Sequence, residues 1–177
     1  MKPDFNDTIH LMRQRFSCRL YDTRPVGADI IEKLLEAARI APSACNRQPW
    51  RFVVVESPEL RDAVCAAYER EWARTAPLFI VACGVHDEAW HRPDDGKDHT
   101  DVDLSIAIEH ICLAATSLGL GSCWICNFNP GKLRSALSIP EGIEPIAIIP
   151  VGYPAEGISA PEKKRKPLSE ITVWGKF

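Results

Sequence analysis

The segment Ala41–Phe52, reading Ala-Pro-Ser-Ala-Cys-Asn-Arg-Gln-Pro-Trp-Arg-Phe, constrains the fold more than any other stretch of the chain. It follows a helix-like run, Ile30–Ile40, and precedes an extended apolar run, Phe52–Val55. Because Pro42 and Pro49 fix φ and lack amide hydrogens, neither residue suits the inside of a helix or the centre of a sheet. The sequence therefore predicts a stiff loop between helix and strand, with several backbone N–H groups free to meet a ligand.

Two side-chain amides lie in this loop. Asn46 and Gln48 each carry a donor pair and an acceptor on a short arm. Such groups match a planar heterocycle whose edge alternates N–H and C=O groups, such as a flavin pyrimidine ring. The alternative is an ordinary helix-to-strand connection in which both amides bond their own backbone. On the loop alone, both interpretations stay open.

Hydrophobic periodicity predicts helices and strands on both sides of the loop. Helices are predicted from Phe5 to the Arg15–Arg19 segment, over Ile30–Ile40 with a capping box of Asp29 and Glu32, from Ser57-Pro58 onward, over Val102–Leu118 and after Asn129-Pro130. Strands are predicted at Phe52–Glu56, Leu78–Cys83, Ser122–Phe128, Ile146–Val151 and Ile171–Trp174, and the last of these needs a sheet to join, in this chain or in a partner. Val102–Leu118 is apolar on most sides, which favours a subunit interface in a chain of this size. No Gly-x-Gly-x-x-Gly follows a strand, so neither a Rossmann site nor a P-loop is supported.

Length and charge narrow the class of protein. A chain of 177 residues suits one domain, residues 1–177, with a core that needs no disulfide or metal. The formal charge of −3, with Lys163–Lys166 as the one dense basic run, argues against a nucleic-acid partner. The N-terminal segment Met1–Asp7 lacks a signal-like apolar core, and no stretch has membrane-span length, so we expect no membrane partner. Seven cysteines, an odd number, predict reduced thiols in the cytoplasm.

The motif Ala-Pro-Ser-x-x-Asn-x-Gln-Pro-Trp of the loop resembles the signature loop of the FMN-dependent nitroreductase family. The resemblance continues in Arg15-Phe16-Ser17-Cys18-Arg19 and in Lys163–Leu168, and so covers nearly the whole chain. It implies an α+β fold: an α/β/α sandwich with a central mixed sheet between helical layers. It also implies a homodimer that forms through the long helix and exchanges its C-terminal segment.

The resemblance further implies which residues hold FMN. Arg15, Ser17 and Arg19 would hold the phosphate and ribityl chain, Phe16 would contribute backbone, and Lys163 with Arg165 would complete the phosphate clamp. The flavin ring would lie beside Pro42, Ser43, Ala44, Asn46 and Gln48 and in front of Trp124, Ile125, Cys126 and Asn127, where a backbone N–H approaches flavin N5. Without the resemblance, we would interpret Arg15, Arg19 and the basic run Lys163–Lys166 as solvated surface charges. No side chain is predicted to be catalytic and none to bind a metal, because the cofactor performs the hydride chemistry.

Other ligand-type residues are given weaker roles. Cys123 and Cys126 form a C-x-x-C in a predicted strand, where alternation sends the two thiols to opposite faces, so we interpret them as structural. The segment His86–Asp103 holds three histidines and several aspartates without zinc or calcium spacing, which predicts a polar rim or plain surface. Arg70 and Arg74 are alternative candidates for a charge near the flavin pyrimidine.

The leading hypothesis is an FMN-dependent oxidoreductase that uses NADH or NADPH to reduce small-molecule acceptors, such as nitroaromatic or quinone-like compounds, by ping-pong hydride transfer. A second hypothesis is a non-enzymatic protein that binds, stores or senses flavin. A third is a metal-binding module built on the His86–Asp103 segment.

Overall fold

The structure, a computed structural model, describes residues 4–177; residues 1–3, which open the N-terminal segment without a signal-like core, lie outside it. The helices are α1 (Phe5–Gln14), α2 (Ala28–Arg39), α3 (Pro58–Ala67), α4 (Thr100–Ser117), α5 (Pro130–Leu137) and α6 (Leu168–Ile171). The strands are β1 (Trp50–Val55), β2 (Leu78–Val85), β3 (Gly121–Ser122) and β4 (Ile143–Gly152).

The four strands form one sheet in the order β1-β2-β4-β3. Each of the three ladders is antiparallel. The parallel component of the expected mixed sheet is an isolated bridge between Ser17 and Ser122. β2 is buried along almost its whole length and pairs with a strand on each side, as its continuous apolar sequence predicts. The predicted α+β class is confirmed.

Helices cover both faces of the sheet. Alternate residues of β2 point to opposite sides, so Ile80 joins one apolar cluster and Phe79 joins the other. Residues of α2 and α4 complete the first cluster, whereas residues of α3 and α5 complete the second. The layers are therefore helix, sheet and helix, as the family resemblance implied.

Local sequence signals set most helix ends. The Ser57 hydroxyl accepts a hydrogen bond from the Leu60 N–H at the start of α3, and the Asn129 side chain does the same for α5. The predicted capping box at α2 is wrong: the helix begins after Gly27, with no side-chain cap. Asp29 instead pairs with Lys33 on the exposed side of the helix, 3.2 Å away, and so does not turn back to the helix start.

Two strand predictions need correction. The predicted strand Ser122–Phe128 is shortened to β3 plus a single bridge between Ile125 and Ile148. The predicted strand Ile171–Trp174 does not form within the chain, because Ile171 ends the short helix α6 and the residues after it form no ladder among residues 4–177. Pairing of this segment with a partner's sheet stays a prediction.

The long helix α4 contributes Leu104, Ile108 and Ile111 to the core, each with no exposed surface. Its apolar residues on other sides, Ile106 and Leu113, are half-buried in the single chain. Nowhere in residues 4–177 does a helix combine the length and apolarity needed to cross a membrane.

Candidate functional site

The segment after α1 is pinned to the edge of the sheet. Arg15 is the C-cap residue of α1, where the backbone leaves the helix. Ser17 then bridges Ser122, and the Cys18 N–H donates to the Ser122 carbonyl oxygen at 2.9 Å. Phe16 is half-buried against the α3/α5 cluster. These contacts fix the backbone from which the side chains of the Arg15–Arg19 motif project.

Three cations gather at this end of α1; we call Arg15, Lys163 and Arg165 the cationic cluster. The Lys163 ammonium donates to the backbone carbonyl oxygens of Arg13 and Arg15. Burial lowers the pKa of Lys163, and the charges of Arg15 and Arg165 lower it further. Arg15 lies 3.8 Å from the Glu109 carboxylate, whereas neither other member makes an ion pair within residues 4–177. The cluster carries more positive than negative charge, which favours a bound anion.

Ser17 and Arg19 lie beside the Cys123 thiol, next to this cluster. Burial raises the pKa of Cys123, and Arg19, the Ser17 hydroxyl and Arg15 oppose that shift. Cys123 is buried and Cys126 is exposed, so the two thiols lie in different environments. Because a protonated, buried thiol is a poor nucleophile, the geometry favours a structural role for Cys123.

The loop between α2 and β1 is backbone-strained. Cys45, Asn46 and Gln48 have φ of 51°, 53° and 53°, in the left-handed region that side chains other than glycine rarely adopt. Each such residue costs on the order of 1–2 kcal/mol. The Ser43 hydroxyl accepts a hydrogen bond from the Gln48 N–H at 2.9 Å and so closes the loop on itself. Strain that the surroundings maintain in this way is typical of ligand-binding segments.

The loop is also fastened at both ends. The Ala44 N–H donates to Asp103 Oδ1 in the first turn of α4 at 2.9 Å. The carbonyl oxygen of Pro49 accepts a hydrogen bond from the Val85 N–H at the end of β2. The loop is therefore held between the longest helix and the central strand.

The two loop amides differ in their contacts. Gln48 Nε2 donates to the Asn46 carbonyl oxygen at 3.1 Å, so this side chain bonds its own loop, as the alternative interpretation expected. The Asn46 side chain is exposed and makes no hydrogen bond to residues 4–177. Pro42 is exposed, while Ser43 and Ala44 are half-buried. Asn46 is thus the amide that the fold leaves open to a ligand.

The segment after β3 lies across the edge of the sheet. Trp124 is half-buried against the α2/α4 cluster, and Ile125 is buried and bridges Ile148. Cys126 and Asn127 are exposed. Asn127 and Arg70 line the same surface depression, of about 350 Å³.

Of the two arginines considered for the pyrimidine end, Arg74 is already paired. Its guanidinium lies 3.3 Å from the Asp62 carboxylate and 3.7 Å from that of Glu71. Arg70 is the one that shares a depression with Asn127.

The loop and the cationic cluster contact α4 at different positions. The loop contacts α4 at Asp103, and the cationic cluster contacts it at Glu109. These positions are six residues apart, which is about 9 Å along a helix and about 120° around it. No hydrogen bond or ion pair in the described structure joins the loop to the cluster.

Sequence patterns missed the contacts that α4 makes. The Asp103 partner, Ala44, is 59 residues away, so no local spacing reveals the bond. His110 Nδ1 likewise lies 3.1 Å from the Ala37 carbonyl oxygen, 73 residues away in the sequence. The one signal available for Asp103 was an acid in the first turn of a largely apolar helix.

The histidine-rich segment forms a network of its own. His86 lies between two carboxylates, with Nδ1 2.7 Å from Asp98 and Nε2 2.7 Å from Glu144. These hydrogen bonds, that of Asp98 first, raise the pKa of His86. Among residues 4–177 no group of three or more His, Cys, Asp or Glu side chains is arranged to hold a metal ion. The network instead ties the segment to β4 and to the start of α4, where Asp98 accepts the Thr100 N–H.

Comparison with known proteins supports the fold described above and the family that the sequence motifs resemble. The Nitroreductase family model matches residues 12–74 and 65–153. A protein of Methanothermobacter thermautotrophicus, provisionally named NADH dehydrogenase/NAD(P)H nitroreductase, is 34% identical over 155 residues, which cover 85% of this chain and 78% of that protein.

Two solved structures show how far the fold agrees. A nitroreductase family protein from Clostridium difficile 630 has a TM-score of 0.89 and 42% identity, covering 96% of this chain and 98% of that one. An FMN-dependent nitroreductase from C. difficile R20291 has a TM-score of 0.79 and 27% identity, covering 96% and 99%. With a family model over most of its length and relatives above 30% identity, this chain belongs to the nitroreductase family, a family of oxidoreductases.

Proposed function

We propose that this protein is an FMN-dependent oxidoreductase that uses NADH or NADPH to reduce small electron acceptors such as nitroaromatic or quinone-like compounds. The cationic cluster is the observation that carries the proposal. An FMN phosphate is a dianion, and Arg15, Lys163 and Arg165 supply three positive charges against one nearby carboxylate. Each charge-assisted hydrogen bond to such a group contributes about 1.5–3 kcal/mol.

The strained loop and the segment after β3 supply the surroundings of the flavin ring. Asn46 offers an open amide to the pyrimidine edge or a ribityl hydroxyl, and a backbone N–H in Trp124–Asn127 serves flavin N5. The proposed cofactor-binding residues are Arg15, Phe16, Ser17, Arg19, Pro42, Ser43, Ala44, Asn46, Gln48, Trp124, Ile125, Cys126, Asn127, Lys163 and Arg165.

A homodimer completes the site in this proposal. The loop and the cationic cluster contact α4 six residues apart, and in the proposed dimer the loop of one copy faces the cationic cluster of the other. The C-terminal tail, residues 168–177, exposes large apolar side chains: Trp174 is 92% and Leu168 is 72% exposed in the single chain. A concentration of exposed apolar surface of this kind is typical of a protein interface. We propose that a second copy of the chain covers this apolar surface.

FMN, when bound, supplies the hydride and electron transfer. The protein's contribution is to hold the phosphate at the cationic cluster, to orient the ring through the loop and to leave one ring face open. No dinucleotide-binding motif gives the electron donor a site of its own, so donor and acceptor take turns in the same space. We therefore expect ping-pong kinetics.

The compartment is a further part of the proposal. All seven cysteines are free thiols. Free thiols suit a reducing compartment, and we place the protein in the cytoplasm.

Purified protein incubated with excess FMN tests the proposal through its visible absorption spectrum. We expect one FMN per chain, a flavin band that NADH or NADPH bleaches anaerobically, and parallel lines in double-reciprocal plots. Protein that stays colourless would refute the proposal. If FMN binds but neither nucleotide bleaches the band, the hypothesis of a non-enzymatic flavin-binding protein is the correct one.

Charge reversal tests the phosphate site itself. Arg15→Glu and Lys163→Glu replace attraction with repulsion, so each should raise the FMN Kd at least about a hundredfold. Lys166→Glu is the matched control, because it reverses the same charge three residues along the same C-terminal segment, outside the cationic cluster. An Arg15→Glu variant that keeps its full complement of FMN would contradict the assignment.

A further inference from the structure

Asp103 is a buried acid whose presence needs a reason. Its side chain is in the first turn of α4, and the residue is only 2% exposed. Oδ1 accepts the Ala44 N–H at 2.9 Å, while the buried Oδ2 makes no hydrogen bond in the described structure. Burying a carboxyl group with one oxygen unsatisfied is costly, and an apolar side chain would fill the same space without that cost. The bond to Ala44 must therefore provide something that an apolar side chain cannot.

The position of Ala44 in the loop indicates what the bond to Asp103 provides. Ala44 opens the single helical turn Ala44–Asn46, and the left-handed residues Cys45 and Asn46 follow it directly. The other bonds of this turn are made within the loop itself, from Ser43 and Gln48. The Pro49 carbonyl oxygen ties the far end of the loop to β2, and the bond from Ala44 to Asp103 is the one that ties the turn itself to another element of the described structure.

The location of Asp103 suits this task. The N-terminal turn of a helix carries a partial positive charge that stabilises a carboxyl group there. Leu104, the next residue, is fully buried in the core, so the backbone that carries the carboxyl is rigid. The acceptor oxygen is therefore held at a fixed place beside a loop that would otherwise relax out of its left-handed conformation.

We propose that Asp103 is a positioning residue: it holds the Ser43–Gln48 turn in its strained conformation, so that Asn46 is presented to the flavin ring. Asp103 acts through the Ala44 N–H and does not itself touch the cofactor. The part that concerns the flavin rests on the proposed function, whereas the part that concerns the loop does not.

Hydrogen exchange of the Ala44 amide tests the loop part without any cofactor. Asp103→Ala removes the acceptor, so the Ala44 amide should exchange about ten- to a hundredfold faster, which is the range expected for a bond to a charged group. Asp103→Asn retains an acceptor oxygen of the same shape and should restore slow exchange. Asp101→Ala is the matched control, since it removes an exposed acid from the same helical turn and should leave the Ala44 amide unchanged.

The outcomes of this exchange experiment separate positioning from general stability. Faster exchange confined to residues 43–48 in Asp103→Ala supports the inference. Faster exchange throughout α4 and the sheet would show that Asp103 merely stabilises the fold, and unchanged exchange at Ala44 would show that the bond is dispensable; either result overturns it. Because Asp103→Asn should fold normally even if Asp103→Ala does not, slow exchange at its Ala44 amide is required, and fast exchange there also overturns the inference.

Flavin properties test the second part. For Asp103→Ala we expect an FMN Kd raised about tenfold and an altered visible circular dichroism of the bound flavin, with both restored in Asp103→Asn. Wild-type flavin properties in an Asp103→Ala variant whose loop exchanges faster would refute the role in cofactor positioning. If the wild-type protein binds no FMN, the proposed function fails, and the exchange experiment still decides whether Asp103 holds the loop.

Discussion

At the residue scale, this fold places single polar groups where several charges meet. His86 is the clearest case, because both of its ring nitrogens lie 2.7 Å from carboxylate oxygens, those of Asp98 and Glu144. His86 and Glu144 line a surface depression together with Asp87 and Arg134. His91 Nε2 also lies 3.4 Å from the Asp98 carboxylate. The protonated imidazole therefore joins β4 to the segment before α4, and the strength of that connection depends on pH.

The sign of this pH dependence follows from the two pKa shifts. The two carboxylates raise the pKa of His86 above its ordinary 6.5, so its stabilising effect is complete below that value and is lost as pH rises through the raised pKa. Burial of Asp98 opposes its ionisation, but hydrogen bonds from Thr100 and His86 outweigh burial and lower its pKa to about 2. The contribution of Asp98 is thus lost only as pH falls below its ordinary 3.8 toward 2.

We therefore predict that His86→Gln destabilises the protein most near pH 5 and progressively less as pH rises above 7. The measurement is the midpoint of urea unfolding from pH 5 to 9. His10→Gln is the control, because His10 is exposed and its recorded partner is the uncharged Gln14 side chain. A difference between wild type and His86→Gln that does not change with pH would show that folding does not raise the pKa of His86, and would contradict the prediction.

The exposed thiol gives a second prediction at this scale. Cys126 is exposed, Cys123 is buried and neither is bonded to another thiol, so we interpret both as structural. Cys126→Ser should leave the flavin content and the rate of NAD(P)H oxidation largely unchanged, as should the control Cys45→Ser at another exposed thiol. Complete loss of turnover in Cys126→Ser with flavin still bound would revive a thiol mechanism.

At the scale of elements, local signals and long-range contacts differ in what a sequence reveals. Ser57 and Asn129 cap helices three residues away, so both helix starts could be predicted from spacing. The bond from Ala44 to Asp103 and that from His86 to Glu144 span 59 and 58 residues, so they depend on how the layers pack and escape any local pattern. The predicted strand Ile171–Trp174 is a related case. A β-prone composition forms a strand only where the segment meets the free edge of another strand, and these residues meet none among residues 4–177.

Gly119 is a local signal that can be tested. It follows α4 with φ of +74°, and a Cβ built there meets no atom within 4 Å, so the cost of a side chain is purely conformational. We predict that Gly119→Ala destabilises the protein by about 1–2 kcal/mol. Gly131→Ala provides a contrast of opposite sign, because Gly131 lies within α5, where alanine should add up to about 1 kcal/mol of stability.

Urea unfolding of both glycine variants gives the comparison. Equal effects of the two substitutions would show that the backbone conformation at Gly119 does not determine how α4 ends. Opposite effects would confirm that the left-handed glycine is what turns the chain from α4 into β3.

At the scale of the whole molecule, the proposed homodimer accounts for the exposed apolar side chains near the C-terminus. The α4 face opposite its core retains half-buried apolar residues, and the tail beyond α6 exposes Val173, Trp174 and Phe177. Lys163 and Arg165 of the cationic cluster lie just before α6, in the same C-terminal segment. A second copy that covers the tail would therefore stabilise the phosphate site at the same time, so assembly and cofactor retention should be linked.

Deleting Ile171–Phe177 tests this link. We predict that the truncated chain dimerises more weakly and retains less FMN, because Lys163 and Arg165 lose the anchored segment that follows them. Trp174→Ser should produce a smaller change in the same direction, since this side chain is 92% exposed in the single chain. Leu60→Ser is the matched control: Leu60 is 42% exposed, but it lies on α3, in the layer opposite α4.

Sedimentation over a range of concentrations and the flavin-to-protein ratio after gel filtration measure the two effects, dimerisation and FMN retention, together. A truncated chain that remains dimeric and fully loaded with FMN would show that the tail takes no part in either, and loss of FMN from a chain that is still dimeric would show that the tail acts on the phosphate site within its own protomer.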